Sequence, residues 1–129
     1  MTASFEYAAD AGVLLVYYSR DAHRELEAAL GDMRLEAYPV DGRAPDATEQ
    51  LKRHPARVIV IDHAARDVSV TQAVRRVGQL LPTSLVITAS SACEPVELYR
   101  AGHRIGGEDS LEIALRKHAG YVGPNPRSK

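Results

Sequence analysis

The sequence predicts an α/β domain built on a five-stranded parallel sheet, strand order 2-1-3-4-5, with helices on both faces. Three observations carry this prediction. Strand-like and helix-like segments alternate from Val13 to Ala119. Three of the strand segments, VLLV, VIVI and LVITA, are apolar but for Thr88 in LVITA, and the unbroken VIVI is as expected for a strand covered on both faces. The two remaining strand segments suit a sheet edge. One contains Pro39, which donates nothing to a ladder, and the other holds Gly106 and Gly107.

Strand one is Val13 to Val16. The first helix follows, with Ser19 as N-cap, Asp21 in its first turn and Gly31 past its end. Its inward residues are Ala22, Leu26, Ala29 and Leu30, at helical spacing. Strand two is Leu35 to Val40, closed by an Asp41-Gly42 turn. Pro45 opens the second helix, which ends at His54 before Pro55. Strand three is Ala56 to Asp62. The third helix spans Ser69 to Leu81, with Val70, Ala73, Val74, Val77, Leu80 and Leu81 on one face and Pro82 after it. Strand four is Ser84 to Ser90. A fourth helix is expected from Ser91, where Ser91 and Glu94 have capping-box spacing and Pro95 falls in the first turn. Strand five is His103 to Gly107. The last helix runs from Ser110 to Ala119, with Asp109 and Glu112 at capping-box spacing and Gly120 after it. The expected domain covers 1–120, with a short extension at 1–11 and an irregular tail at 121–129.

Composition narrows the function. The chain has 129 residues and is 45% hydrophobic, enough for one core. A net charge of -1 leaves no footprint for nucleic acid or an anionic membrane surface. The single cysteine, Cys93, forms no internal disulfide, and MTASFEYAAD has no signal-peptide pattern. No apolar run approaches the roughly 20 residues of a spanning helix. A cytoplasmic location is expected.

Asp62 follows VIVI, and Thr88 lies in LVITAS. With this layout the chain resembles the receiver domain of bacterial response regulators, the CheY-like family with its flavodoxin-like fold, over about Val13 to Ala119. The resemblance implies Asp62 as possible phospho-acceptor and Thr88 as possible switch hydroxyl. Two features depart from the family pattern. Tyr17 and Tyr18 stand at its acidic pair, and Gly106 or Gly107 at its lysine. Aspartyl phosphorylation needs Mg²⁺, which wants hard oxygen ligands, and a neutral phenol is a poor one. The resemblance therefore implies a pseudo-receiver: no enzyme, no cofactor, poor Mg²⁺ binding, and signalling by protein–protein contact. In the family, partner binding and homodimer contacts use the face of helix four, strand five and helix five. Here that face would include Glu97, Tyr99, Arg100, Arg104, Leu111, Arg116 and Lys117.

Two alternatives stand beside this reading. One is an atypical phospho-acceptor modified at Asp62 and sensed by Thr88. The other is a binder of a small molecule or anion at the strand C-terminal ends, the usual ligand position in such sheets. Each residue also has a plainer role. Asp62 can satisfy loop amides, Thr88 can cap, and both tyrosines can pack. His63 is expected to point away from Asp62, because adjacent strand residues face opposite ways.

Overall fold

The structure is a computed structural model and describes residues 13–54 and 56–121. The expected extension at 1–11, the position of Pro55 and the tail from 122 onward lie outside these residues. The elements are β1 (Val13–Tyr17), α1 (Arg20–Asp32), β2 (Ala37–Asp41), α2 (Ala47–Arg53), β3 (Val58–Asp62), α3 (Val70–Leu80), β4 (Leu85–Ala89), β5 (Val96–Arg100), β6 (His103–Glu108) and α4 (Leu111–His118).

They form one six-stranded sheet in the order β2-β1-β3-β4-β5-β6. The first four strands in this order are parallel, as expected, with β2 at the edge. The rest of the expected sheet is corrected. β5 runs antiparallel to β4, and β6 antiparallel to β5, so the five-stranded parallel flavodoxin-like sheet is not formed. No helix follows Ser91; β5 takes the place beside β4, and His103–Glu108 becomes the outer edge.

The reason lies in the periodicity of VELYR. Val96 and Leu98 are buried at 1% and 0% exposure while Glu97 and Tyr99 point to the other face, a strand period of two. Ala101 and Gly102 then both adopt positive φ, 53° and 84°. That is a two-residue primed turn, and such a turn joins only antiparallel strands. Ser91, Glu94 and Pro95 belong to the loop before the hairpin.

Serine caps explain three of the four helix starts, while α2 follows Asp46, which makes no side-chain cap bond. Ser19, Ser69 and Ser110 each accept a hydrogen bond from a first-turn amide, that of Ala22, Gln72 and Ile113 respectively. The last helix is thus capped by Ser110 rather than by Asp109. Gly31, expected beyond the first helix, lies within α1, and the left-handed residue that ends the turn is Arg34 at φ 63°.

The sheet buries both faces. Leu15, Val60, Ile87 and Leu98 pack under α1 and α4 with Leu26, Leu30 and Leu115. Leu14, Ile59, Ile61 and Val86 pack under α2 and α3 with Leu51, Val74 and Val77. Both edges are blunted against further pairing. β2 carries Pro39. In β6, Gly106 opposes Leu98 and Arg104 opposes Tyr99, which leaves Ile105 as an unpaired bulge residue.

Candidate functional site

The C-terminal ends of β1, β3 and β4 meet around Asp62. This carboxylate is 1% exposed and accepts three backbone hydrogen bonds. Oδ2 accepts from the amides of Tyr18 at 2.9 Å and Ser19 at 2.8 Å; Oδ1 accepts from the amide of Ala64 at 2.6 Å. Asp62 therefore ties the β1–α1 turn to the end of β3. Such charge-assisted bonds are the stronger kind, and an anion in this position leaves no orphan amide.

The two tyrosines at the end of β1 diverge. Tyr17 stacks on His23 of α1, with ring centroids 4.1 Å apart and planes at 15°. His23 Nε2 also comes within 3.1 Å of Glu27 Oε1, at an angle that makes no hydrogen bond. Tyr18 packs on the opposite face, with the cluster under α2 and α3. Its ring lies on the backbone of Gly42, where a Cβ would fall 2.8 Å from the phenol oxygen and closer to the ring itself. Burial pushes the Tyr18 phenol above its ordinary pKa, and Arg76 and Arg43 pull it back in part. The phenol is neutral at pH 7.

Thr88 is not beside Asp62. In the parallel register Thr88 opposes Ile61 and Asp62 opposes Ala89. Paired residues share a face, so the Thr88 and Asp62 side chains project to opposite faces of the sheet. The Thr88 hydroxyl is buried and makes no hydrogen bond. His63 does point away from Asp62: its Nε2 lies 2.8 Å from Ser90 Oγ, and its amide donates to the Ala89 carbonyl. The His63–Ser90 contact is absent from the sequence reading. Its only signal is that both residues stand one position past the ends of neighbouring strands.

The expected interaction face is divided by the sheet. Leu111 is a core residue at 0% exposure and presents no surface. Glu97, Tyr99 and Arg104 lie on the α3 side of the hairpin, where Arg104 Nε donates to Glu97 Oε1. Arg100 is exposed at the end of β5. Arg116 and Lys117 belong to α4, across the sheet. Arg116 pairs with Glu112 at 2.8 Å and lies over the Tyr121 ring, while Lys117 reaches Glu108 at 3.4 Å. The seven residues do not form one contact surface.

A cavity of about 260 Å³ opens beside Tyr18, lined also by Gly42, Asp67, Ser69, Gln72 and Arg76. It stands at the end of β1, where connections leave the sheet in opposite directions. Arg43 is not in the lining but bonds to two of the lining residues. The guanidinium donates to both oxygens of Asp67, at 2.9 and 2.8 Å, and its Nε donates to the Tyr18 carbonyl at 3.2 Å. This pair holds the Asp67 carboxyl below its usual range.

Among the described residues, no group of three or more His, Cys, Asp and Glu side chains is placed to hold a metal ion, and no helix is long and apolar enough to cross a membrane. Compared with protein-family models, curated proteins and solved structures, the chain matches none.

Proposed function

We propose that this chain is a signalling-type interaction module of the cytoplasm that works by protein–protein contact and does not use aspartyl phosphorylation. One observation supports the reading above all: both oxygens of Asp62 are committed to backbone amides in a position closed to solvent. A phospho-acceptor carboxylate must offer an oxygen to the incoming phosphorus and leave room for Mg²⁺. Using Asp62 in that way would free the amides of Tyr18, Ser19 and Ala64 and open the β1–α1 turn. The carboxylate serves as a strut.

The contact surface in this reading is the β5–β6 hairpin, which replaces the expected fourth helix. Ile105 is 50% exposed at its bulge. Arg100 and His103, on the same hairpin, are exposed and have no ion-pair partner among the described residues. A partner that fits presents an apolar side chain flanked by acids.

The test has two arms. With Mg²⁺ and acetyl phosphate, no phosphorus is expected at Asp62; incorporation that vanishes in Asp62→Ala but persists in Asp32→Ala overturns the reading. A photo-crosslinking residue at Ile105 is expected to give one discrete adduct in extract of the source cells, and the same residue at Glu49 none. Equal yields at the two positions count against the hairpin as the contact surface.

A further inference from the structure

We propose that the cavity beside Tyr18 is a binding site for a small organic oxyanion, a phosphate- or carboxylate-bearing molecule, with Arg76 as its charge partner. The inference stands apart from how the module meets its partners.

The lining is rich in donors. Tyr18 brings a phenol hydroxyl, Gln72 an amide and Arg76 a guanidinium, with Gln72 and Arg76 one turn apart on α3. The one carboxylate in the wall, Asp67, is bound at both oxygens by Arg43. Its charge is thereby met, and it neither repels an anion strongly nor competes for Arg76. Arg76 itself has no hydrogen bond to a side chain and no ion pair among the described residues. It is close enough to the phenol to be the strongest influence drawing the Tyr18 proton off against burial. A guanidinium fork and a neutral hydroxyl facing one space are suited to a planar or tetrahedral oxyanion.

Size narrows the class. At about 260 Å³ the cavity far exceeds the ~30 Å³ share of one water and sits just below the range of ordinary organic-ligand sites. A bare phosphate leaves much of it unfilled. An anion with a short organic body fills it, with the Tyr18 ring as the apolar wall. Gly42 is part of the design: only without a Cβ there can the Tyr18 ring lie where it does.

The test is an amide NMR titration of the full chain with inorganic phosphate, glycerol phosphate and citrate, at constant ionic strength. The amides of Tyr18, Gly42, Ser69 and Gln72 are expected to shift saturably, with an organic anion binding more tightly than inorganic phosphate. Arg76→Gln is expected to weaken binding about tenfold or more, the scale of a lost hydrogen-bonded ion pair. Arg75→Gln removes an equal charge from the neighbouring exposed position of α3 and is expected to leave binding unchanged. Absence of saturable shifts with all three probes overturns the site. Equal weakening by Arg75→Gln reduces it to diffuse charge attraction, and equal affinity for inorganic phosphate and both organic anions removes the organic ligand from the proposal.

Discussion

The backbone of Gly78 in α3 rests directly on the backbone of Gly102 at the tip of the β5–β6 hairpin. A Cβ at position 78 would stand 2.7 Å from the carbonyl carbon of Ala101 and 2.9 Å from the Gly102 Cα, and closer still to the Gly102 nitrogen. Backbone cannot rotate aside as a side chain can. Gly78→Ala gains helix propensity, worth about 1 kcal/mol, yet it wedges the hairpin from the helix. Overpacking costs typically about 1–3 kcal/mol, and a clash against backbone falls at the upper end. A net loss of stability is expected in urea denaturation; a gain would mean that α3 and the hairpin are not in contact.

Ala101 holds φ at 53° in the primed turn, a region that costs a non-glycine residue about 1–2 kcal/mol. Asparagine tolerates it, and Asn-Gly is the preferred pair for this turn. Ala101→Asn is therefore expected to stabilise the protein by about 1 kcal/mol, seen as a raised Tm. Ala101→Val, β-branched at the same φ, should lower it.

Asp62→Ala leaves three amides without an acceptor. Each buried orphan costs about 1–3 kcal/mol, and relaxation of the turn recovers some of it. A loss of roughly 2–5 kcal/mol is expected, with faster hydrogen exchange at Tyr18, Ser19 and Ala64 in particular. If Asp62→Ala is as stable as the parent, the strut role is wrong and the carboxylate is available for chemistry.

Acid should loosen two surface ties. Arg43 lowers the Asp67 pKa, and His118, with Lys117, lowers that of Glu108. A carboxyl depressed in the folded state binds fewer protons there than in the unfolded chain. Its contribution is complete above the ordinary carboxylate pKa of about 4 and disappears as pH falls through the lower folded value. Between those two values the slope of stability against pH should be shallower in Asp67→Asn and in Glu108→Gln than in the parent. The Arg43–Asp67 pair is exposed and Glu108 is part-buried, so added salt should shrink the difference, more at Asp67 than at Glu108.

Alkali should act through Tyr18. Its phenol is raised by burial, so the folded chain keeps a proton that the unfolded chain loses near pH ~10. That contribution is whole below this pH and is lost as pH climbs through the folded value. In an ultraviolet titration Tyr18 and Tyr121, both raised by burial, should ionise late, and Tyr18→Phe should remove one tyrosine's share of that late step.

The parallel half of the sheet was legible because its signals are local and redundant. VLLV, VIVI and LVITA are short, rich in β-branched residues and mostly apolar, as covered strands are, and Pro39 marks an edge by its missing donor. The third helix was legible through Val70, Ala73, Val74 and Val77, and the first through its Ser19 cap. The hairpin was harder to see. Ser91, Glu94 and Pro95 look the same at a helix start and in a loop, while VELYR carries its strand period over only five residues. What decides it is β4, whose free edge accepts β5 as an antiparallel neighbour.

The sequence by itself determined the buried central strands, the order of the four parallel strands and that a carboxylate ends β3. That the carboxylate satisfies loop amides was one of the roles open to it from the sequence, and the tertiary structure decided which amides they are. Two of the three amides it holds lie 44 and 43 residues earlier in the chain, and no local pattern announces them. The same holds for Thr88, placed on the wrong face for Asp62 by register, and for Arg43, Asp67 and Arg76, brought around one cavity from three separate segments. Apolar patterning is written residue by residue, because burial depends on what a side chain is. Sites depend on which distant backbone a side chain meets, and only the folded chain sets that.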